Sequence, residues 1–339
     1  MTKFAPVALW ILTIILFALT FSIGAEAQYT QTNLVTNTQD PNLVNAWGLA
    51  YTSAGPFWVS DEHTGKSTVY DANGTIVPLV VTVPPGASGG TRGTPAGMVA
   101  NPTSGFVISQ NGTSGPATFI FSTLDGTISG WNASVNATNA VIAVDNSPTA
   151  NYPGLAIATS PSGAGFLYAA NMAKNQIEVY NSAFKLVKTF TDSSLTGMAV
   201  YGIQTIKSSL YVTFSGRAGA AVDVFTLSGT KVKTLTSNTS SGPLQNPWGL
   251  AMAPSNFGVL SKTLLVGNVT GGQINAFNPS TGAFKGVLKD TSGNPIANPG
   301  LWGMQFGGGT GSSGNGNTNQ LFITAGGAAY ATGVFAVIQ

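Results

Sequence analysis

Asp61-Glu62-His63 is the one dense run of ionisable side chains in the chain, and His63 is its only histidine. A carboxylate beside an imidazole can exchange protons or orient the ring for a nucleophile. With one histidine, any triad that needs a second is excluded, and so is a metal site built on several. Neighbours in a strand point to opposite faces, so residues adjacent in sequence need not meet in space. The run therefore names no catalytic residue. His63 stands as a ligand-binding candidate, against the competing reading of a solvated loop.

Asp61, Asn171 and Asn268 form a second group, each closing a short apolar run. Hard cations such as Ca²⁺ take carboxylate and amide oxygens, which makes these three the metal candidates. The competing reading is that they hydrogen-bond the backbone of their own turns, as Asx side chains do. Trp47, Trp248 and Trp302 form a third group, each directly before a glycine. Their rings could stack on a sugar or on a partner's side chains. Alternatively, they pack between neighbouring structural units.

These candidates sit on a repeat. From Asn246 to Leu288 four apolar or alternating runs are each closed by Gly, Pro or Asn. That pattern predicts four short strands joined by tight turns. The opening turn recurs around Gly48, Gly97, Gly154, Gly202, Gly249 and Gly303, at spacings of 49, 57, 48, 47 and 54 residues. Six units of this length predict an all-β fold, a six-bladed β-propeller with four-stranded blades. A β-sandwich would not require the same turn six times. The sixth unit runs out after its third strand, while Thr30 to Thr36 is a lone alternating strand ahead of the first. That N-terminal strand is expected to complete the last blade and remove an open sheet edge. Turns before the first strand and after the second then share one face, at the mouth of the central channel.

Only 7% of residues are charged, and the formal net charge of +2 is too small and too scattered for nucleic-acid binding. Without cysteine there is no disulfide and no thiolate metal site. Residues 1–27 read as a signal peptide: Lys3, an apolar run from Val7 to Ile23, then Ala25-Glu26-Ala27 as a cleavage site. An uncleaved anchor is the alternative. No later stretch could span a bilayer as a helix, and residues 28–339 form one domain. Pro84 to Pro95 and Gly307 to Asn319 read as flexible loops, and Gly105 to Ser109 as an extra piece in the second unit.

Several stretches resemble an uncharacterised family of secreted bacterial six-bladed propellers, distantly similar to NHL-repeat proteins. They include Asn45 to Leu49, Pro56 to Asp61, Phe119 to Trp131, Phe166 to Asn171, Asn246 to Pro254, Leu264 to Asn268 and Leu301 to Gly307. The resemblance implies the fold and export but no established activity. It also implies an acidic residue and a histidine near the end, where this chain has Ala328-Ala329-Tyr330-Ala331. Related propeller lactonases use a Glu/Asn/Asp set comparable with Asp61, Asn171 and Asn268.

The expected function is an exported, non-enzymatic binding or scaffold module, monomeric and secreted, periplasmic or on the cell surface. It would use the channel-mouth face for an unknown extracellular ligand or protein. The alternative is a metal-dependent lactonase- or lyase-like enzyme with a cation near Asp61, Asn171 and Asn268. A structural surface protein without a small ligand is the third possibility. No cofactor is expected beyond Ca²⁺, the one metal that the oxygen set would suit.

Overall fold

Short runs of β-branched and aromatic residues, punctuated by Gly, Asn and Pro, become six four-stranded antiparallel sheets. The computed structural model describes residues 28–88, 90–239 and 241–339, with Met1 and Thr2. Residues 3–27, the bulk of the expected signal, lie outside the described residues. The first blade comprises Ala46–Ala50, Phe57–Asp61, Lys66–Tyr70 and Val81–Thr82. In the second, Pro95–Ala100, Phe119–Thr123, Thr127–Trp131 and Val141–Asp145 pair in that order. Gly154–Thr159, Gly165–Asn171, Gln176–Asn181 and Leu186–Phe190 make the third. The fourth uses Met198–Ile206, Ser209–Gly216, Gly219–Thr226 and Lys231–Asn238. Pro247–Met252, Leu264–Asn268, Ile274–Phe277 and Phe284–Val287 form the fifth.

The sixth blade joins both ends of the chain. Leu301–Phe306, Leu321–Ala325 and Val334–Ile338 are completed by Gln31–Thr36, with Val35 opposite Phe335. Gln28–Tyr29 continues onto the fifth blade and pairs in parallel with Lys289–Asp290. The Tyr29 hydroxyl donates to the Phe257 carbonyl at 3.0 Å, so the N-terminal segment fastens two blades.

Each blade's first strand lies against the first strand of the next, and the sixth lies against the first, closing a ring. The recurring glycine makes this approach possible. A Cβ on Gly48, Gly154, Gly202, Gly249 or Gly303 would lie 2.1–2.7 Å from a backbone oxygen of the next blade. Six apolar clusters fill the six seams between blades. Trp58 and Trp131 occupy the seam between the first and second blades.

Both glycine-rich loops are tied down by side chains. Asp125 accepts from the Gly86 N–H at 2.7 Å, and Asp145 from Ala87 at 2.8 Å. Asn315, fully buried, accepts from Gly308, and its Nδ2 donates to the Thr52 carbonyl at 3.2 Å. The extra piece of the second blade is a hairpin, Val107–Gln110 with Thr113–Pro116. The second strand of the fourth blade is the longest of the six, running from Ser209 to Gly216.

Candidate ligand site at the channel mouth

The residues immediately before the six turn glycines are Trp47, Ala96, Pro153, Tyr201, Trp248 and Trp302. Five of them gather into a seventh apolar cluster, joined by Leu124 and Val269. Trp47 and Trp302 stack with ring centroids 3.5 Å apart, and Trp248 meets Trp47 edge-on at 5.8 Å. Pro153 joins through its carbonyl, which accepts from Trp248 Nε1 at 3.2 Å. Trp47 and Trp302 are only 5% and 3% exposed, and Trp248 is half-buried. The three tryptophans therefore neither ring an open face nor fill seams between blades: they pack on one another across the axis. Below them a narrow cavity of about 30 Å³ leads to an opening of about 180 Å³ at the opposite end, lined by Tyr51, Gln204, Thr205 and Gln305.

The residues that follow the second strands complete the upper mouth. Glu62 N–H donates to the Asn45 carbonyl at 3.2 Å, Met172 to Asn151 at 2.9 Å and Val269 to Asn246 at 3.0 Å. Leu124 and Gly326 make the matching bonds, to Thr94 at 3.0 Å and Gly300 at 2.9 Å. This repeated bond clamps the two loops together in five of the six blades and sets position 62, 124, 172 or 269 beside the axis. The residue one place earlier turns back into its own blade, as strand alternation requires.

Asp61, Asn171 and Asn268 are those earlier residues. Asp61 accepts from the Thr68 hydroxyl at 2.8 Å, and its other oxygen is buried without a partner among the described residues. Burial pushes the Asp61 carboxyl well above the usual carboxylate range; Thr68 eases the shift and Asp40 adds to it. The Asn171 amide donates to Glu178 at 2.9 Å, while its oxygen faces the N–H groups of Asn151 and Lys174. Asn268 accepts from the Gln245 N–H at 2.8 Å and donates to the Pro243 carbonyl at 3.0 Å. Each is held within its own blade's turns, and none lines the mouth cavity. Among the described residues, no group of three or more His, Cys, Asp or Glu side chains is arranged to hold a metal. Two amide oxygens committed to backbone N–H groups and one sealed carboxylate make a poor donor set for Ca²⁺.

The mouth cavity, about 260 Å³, is walled by Trp47, Tyr201, Trp302 and Tyr330, with Glu62 and Asn151 among its polar groups. A chain of contacts runs along one side. Trp302 Nε1 donates to Asn45 Oδ1 at 3.0 Å, and Asn45 Nδ2 donates to Glu62 Oε2 at 2.8 Å. The same Glu62 oxygen meets His63 Nδ1, so these sequence neighbours do pair in space. They can because both lie beyond the last strand residue, where strict alternation ends. Glu62 is 8% exposed, and His63 is half-buried. The arrangement fixes one imidazole nitrogen on a carboxylate, a geometry able to orient a proton-transferring ring.

Of the seven ligand-site candidates, the structure brings Trp47 and Trp302 into the cavity wall, with Trp248 behind them and His63 attached through Glu62. Asn45, Asn151, Met172, Tyr201 and Tyr330 were not singled out. The first four carried a signal, because each occupies a repeated place, before the turn glycine or just after the second strand. Tyr330 had none, lying in a loop unlike those of the other blades.

No known family profile matches the chain. At 28% identity it is similar to an uncharacterized protein of Acanthamoeba polyphaga mimivirus, over 81% of this chain and 71% of that one. A second uncharacterized mimivirus protein is 29% identical, over 80% of this chain but 53% of its own length. Among solved structures, virginiamycin B lyase from Staphylococcus aureus superposes with a TM-score of 0.53 at 13% identity, over 93% of this chain and 99% of that one. A glucose dehydrogenase gives 0.56 at 12%, over 91% and 99%. The likeness is one of fold.

Proposed function

We propose that this protein is an exported, non-enzymatic binding propeller that captures a small ligand in the upper mouth cavity. The observation that carries this reading is the cavity itself. Rigid aromatic side chains from different blades enclose a volume suited to a small molecule, with a carboxylate and an amide at its wall. A frame closed at every seam offers such a site with little reorganisation on binding, which favours affinity. Indole N–H resonances of Trp47 and Trp302 give the test. A fragment screen on the whole protein should yield molecules that shift them, with the shift lost in Tyr330→Ala. No fragment moving either resonance would sink the reading.

The pairing of Glu62 with His63 favours a second reading, a lyase-like enzyme that moves a proton at the mouth. The solved neighbours named as a lyase and a dehydrogenase are compatible with it but do not choose between the two. His63→Gln discriminates: it would abolish turnover in an enzyme while leaving ligand capture by the aromatic walls nearly intact. A role for Ca²⁺ near Asp61, Asn171 and Asn268 would appear as stoichiometric calcium in purified protein and a lower melting temperature with chelator.

A further inference from the structure

We propose that the ligand of the mouth cavity is a small organic ammonium ion; this inference rests on that cavity being the ligand site. Among the described residues, the lining contains one carboxylate, Glu62, and no Lys, Arg or His. Asn45 and His63 both engage Glu62 Oε2, while Oε1 accepts no hydrogen bond among the described residues. Asn151, also in the wall, has a buried Oδ1 without a partner among the described residues. Trp47 Nε1 is an uncommitted donor in the same wall, but the one charged group beside the cavity is an anion. An anion would meet Glu62 unfavourably, and a neutral apolar molecule would leave those acceptors unmatched.

The rest of the wall is aromatic, and ring faces attract organic cations. Tyr201 and Tyr330 stand around Trp302, with centroids 6.1 and 5.8 Å away. Tyr330 is the most open of the four rings, at 37% exposed, and its backbone is held at φ 56°, a conformation that a bulky side chain rarely adopts. Such strain persists where surrounding structure imposes it, commonly at ligand sites. Here the N–H of Tyr330 is fixed to the Gly327 carbonyl at 3.1 Å, which keeps the ring at the mouth. A carboxylate on one side and aromatic rings on the others is the chemistry that recognises an alkylated ammonium group.

The test titrates the whole protein with choline and with its uncharged isostere, in which carbon replaces the quaternary nitrogen. Choline should bind at least about tenfold more tightly, and Glu62→Gln should erase that preference. Equal binding of both probes would overturn the ammonium assignment while leaving the cavity as a ligand site. If neither binds, the assignment also falls; the cavity survives only if some other fragment moves the Trp47 or Trp302 indole signals. Should Glu62→Gln fail to fold, Tyr330→Ala replaces it. Choline affinity must then drop about tenfold at unchanged melting temperature, and an unchanged affinity overturns the proposal.

Discussion

A Cβ on Gly303 would lie 2.6 Å from the carbonyl oxygen of Trp47, across the seam where the sixth blade meets the first. Gly202 faces the Trp248 carbonyl still more closely, at 2.1 Å. Carbonyls of neighbouring inner strands cannot yield without moving the ring. Gly202→Ala is therefore expected to cost about 3 kcal/mol or more, at the upper end of overpacking effects. Urea denaturation measures it; a loss below about 0.5 kcal/mol would show that the seam is looser than its geometry.

The stacked pair Trp47 and Trp302 closes the channel from above. Trp302→Ala removes the ring, the stack and the hydrogen bond to Asn45, and should destabilise by about 3–5 kcal/mol. Trp302→Phe, which keeps an aromatic ring but not the N–H, should cost less. Thermal unfolding of the two variants should rank them in that order.

Glu178 anchors the third blade. It accepts from the Tyr152 and Tyr180 hydroxyls at 2.6 and 2.7 Å, and from Gln176 and Asn171 at 2.9 Å each. Burial alone would raise its pKa, but those four donors outweigh burial and hold it below the usual value. A carboxyl lowered on folding stabilises the protein above its unfolded pKa, and that stability is lost as pH falls through the folded value. Glu178→Gln should cost about 2 kcal/mol at pH 7, and less in acid. Denaturation curves from about pH 3 to 7 would show the gap between the two proteins widening as pH rises.

Asp223 behaves oppositely. It is fully buried, neither carboxylate oxygen has a well-formed hydrogen-bond partner among the described residues, and the Lys231 ammonium is 3.8 Å away. Burial raises its pKa to about 6, with the nearby Thr234 hydroxyl and Lys231 opposing the shift and Asp192 adding to it. Such a group favours folding most at pH below its unfolded value near 4, and the benefit disappears as pH rises through about 6. Asp223→Asn should therefore be the more stable protein at pH 7, by on the order of 1–3 kcal/mol, with the difference shrinking towards pH 4. Equal pH profiles for the two proteins would refute this.

The ring was legible in the sequence because the physical need for glycine repeats. One residue without a side chain is required wherever two inner strands touch, and no other residue satisfies that geometry. The closing strand was legible for a similar reason, as an unmatched alternating run before an incomplete unit. The site was harder to place. Asp61, Asn171 and Asn268 mark the ends of second strands, but which of two successive residues faces the axis depends on where the strand stops. The hydrogen bonds that set this, such as Glu62 N–H to Asn45, join loops separated by many residues, and no local pattern announces them. Nor could spacing tell whether three tryptophans would stand apart or collapse onto one another; that follows from channel width.

Thr30 and Gln339 exchange two backbone hydrogen bonds, at 2.9 and 3.1 Å, where Gln31–Thr36 and Val334–Ile338 lie side by side. During synthesis the first of these must wait for the other while some three hundred residues are made between them. Until then the growing protein is an open arc with a bare flank at either side, exposed to pairing with other chains. The ring closes only when that pair of strands forms, so a helper that shields the waiting N-terminal segment is expected to raise the yield of folded protein.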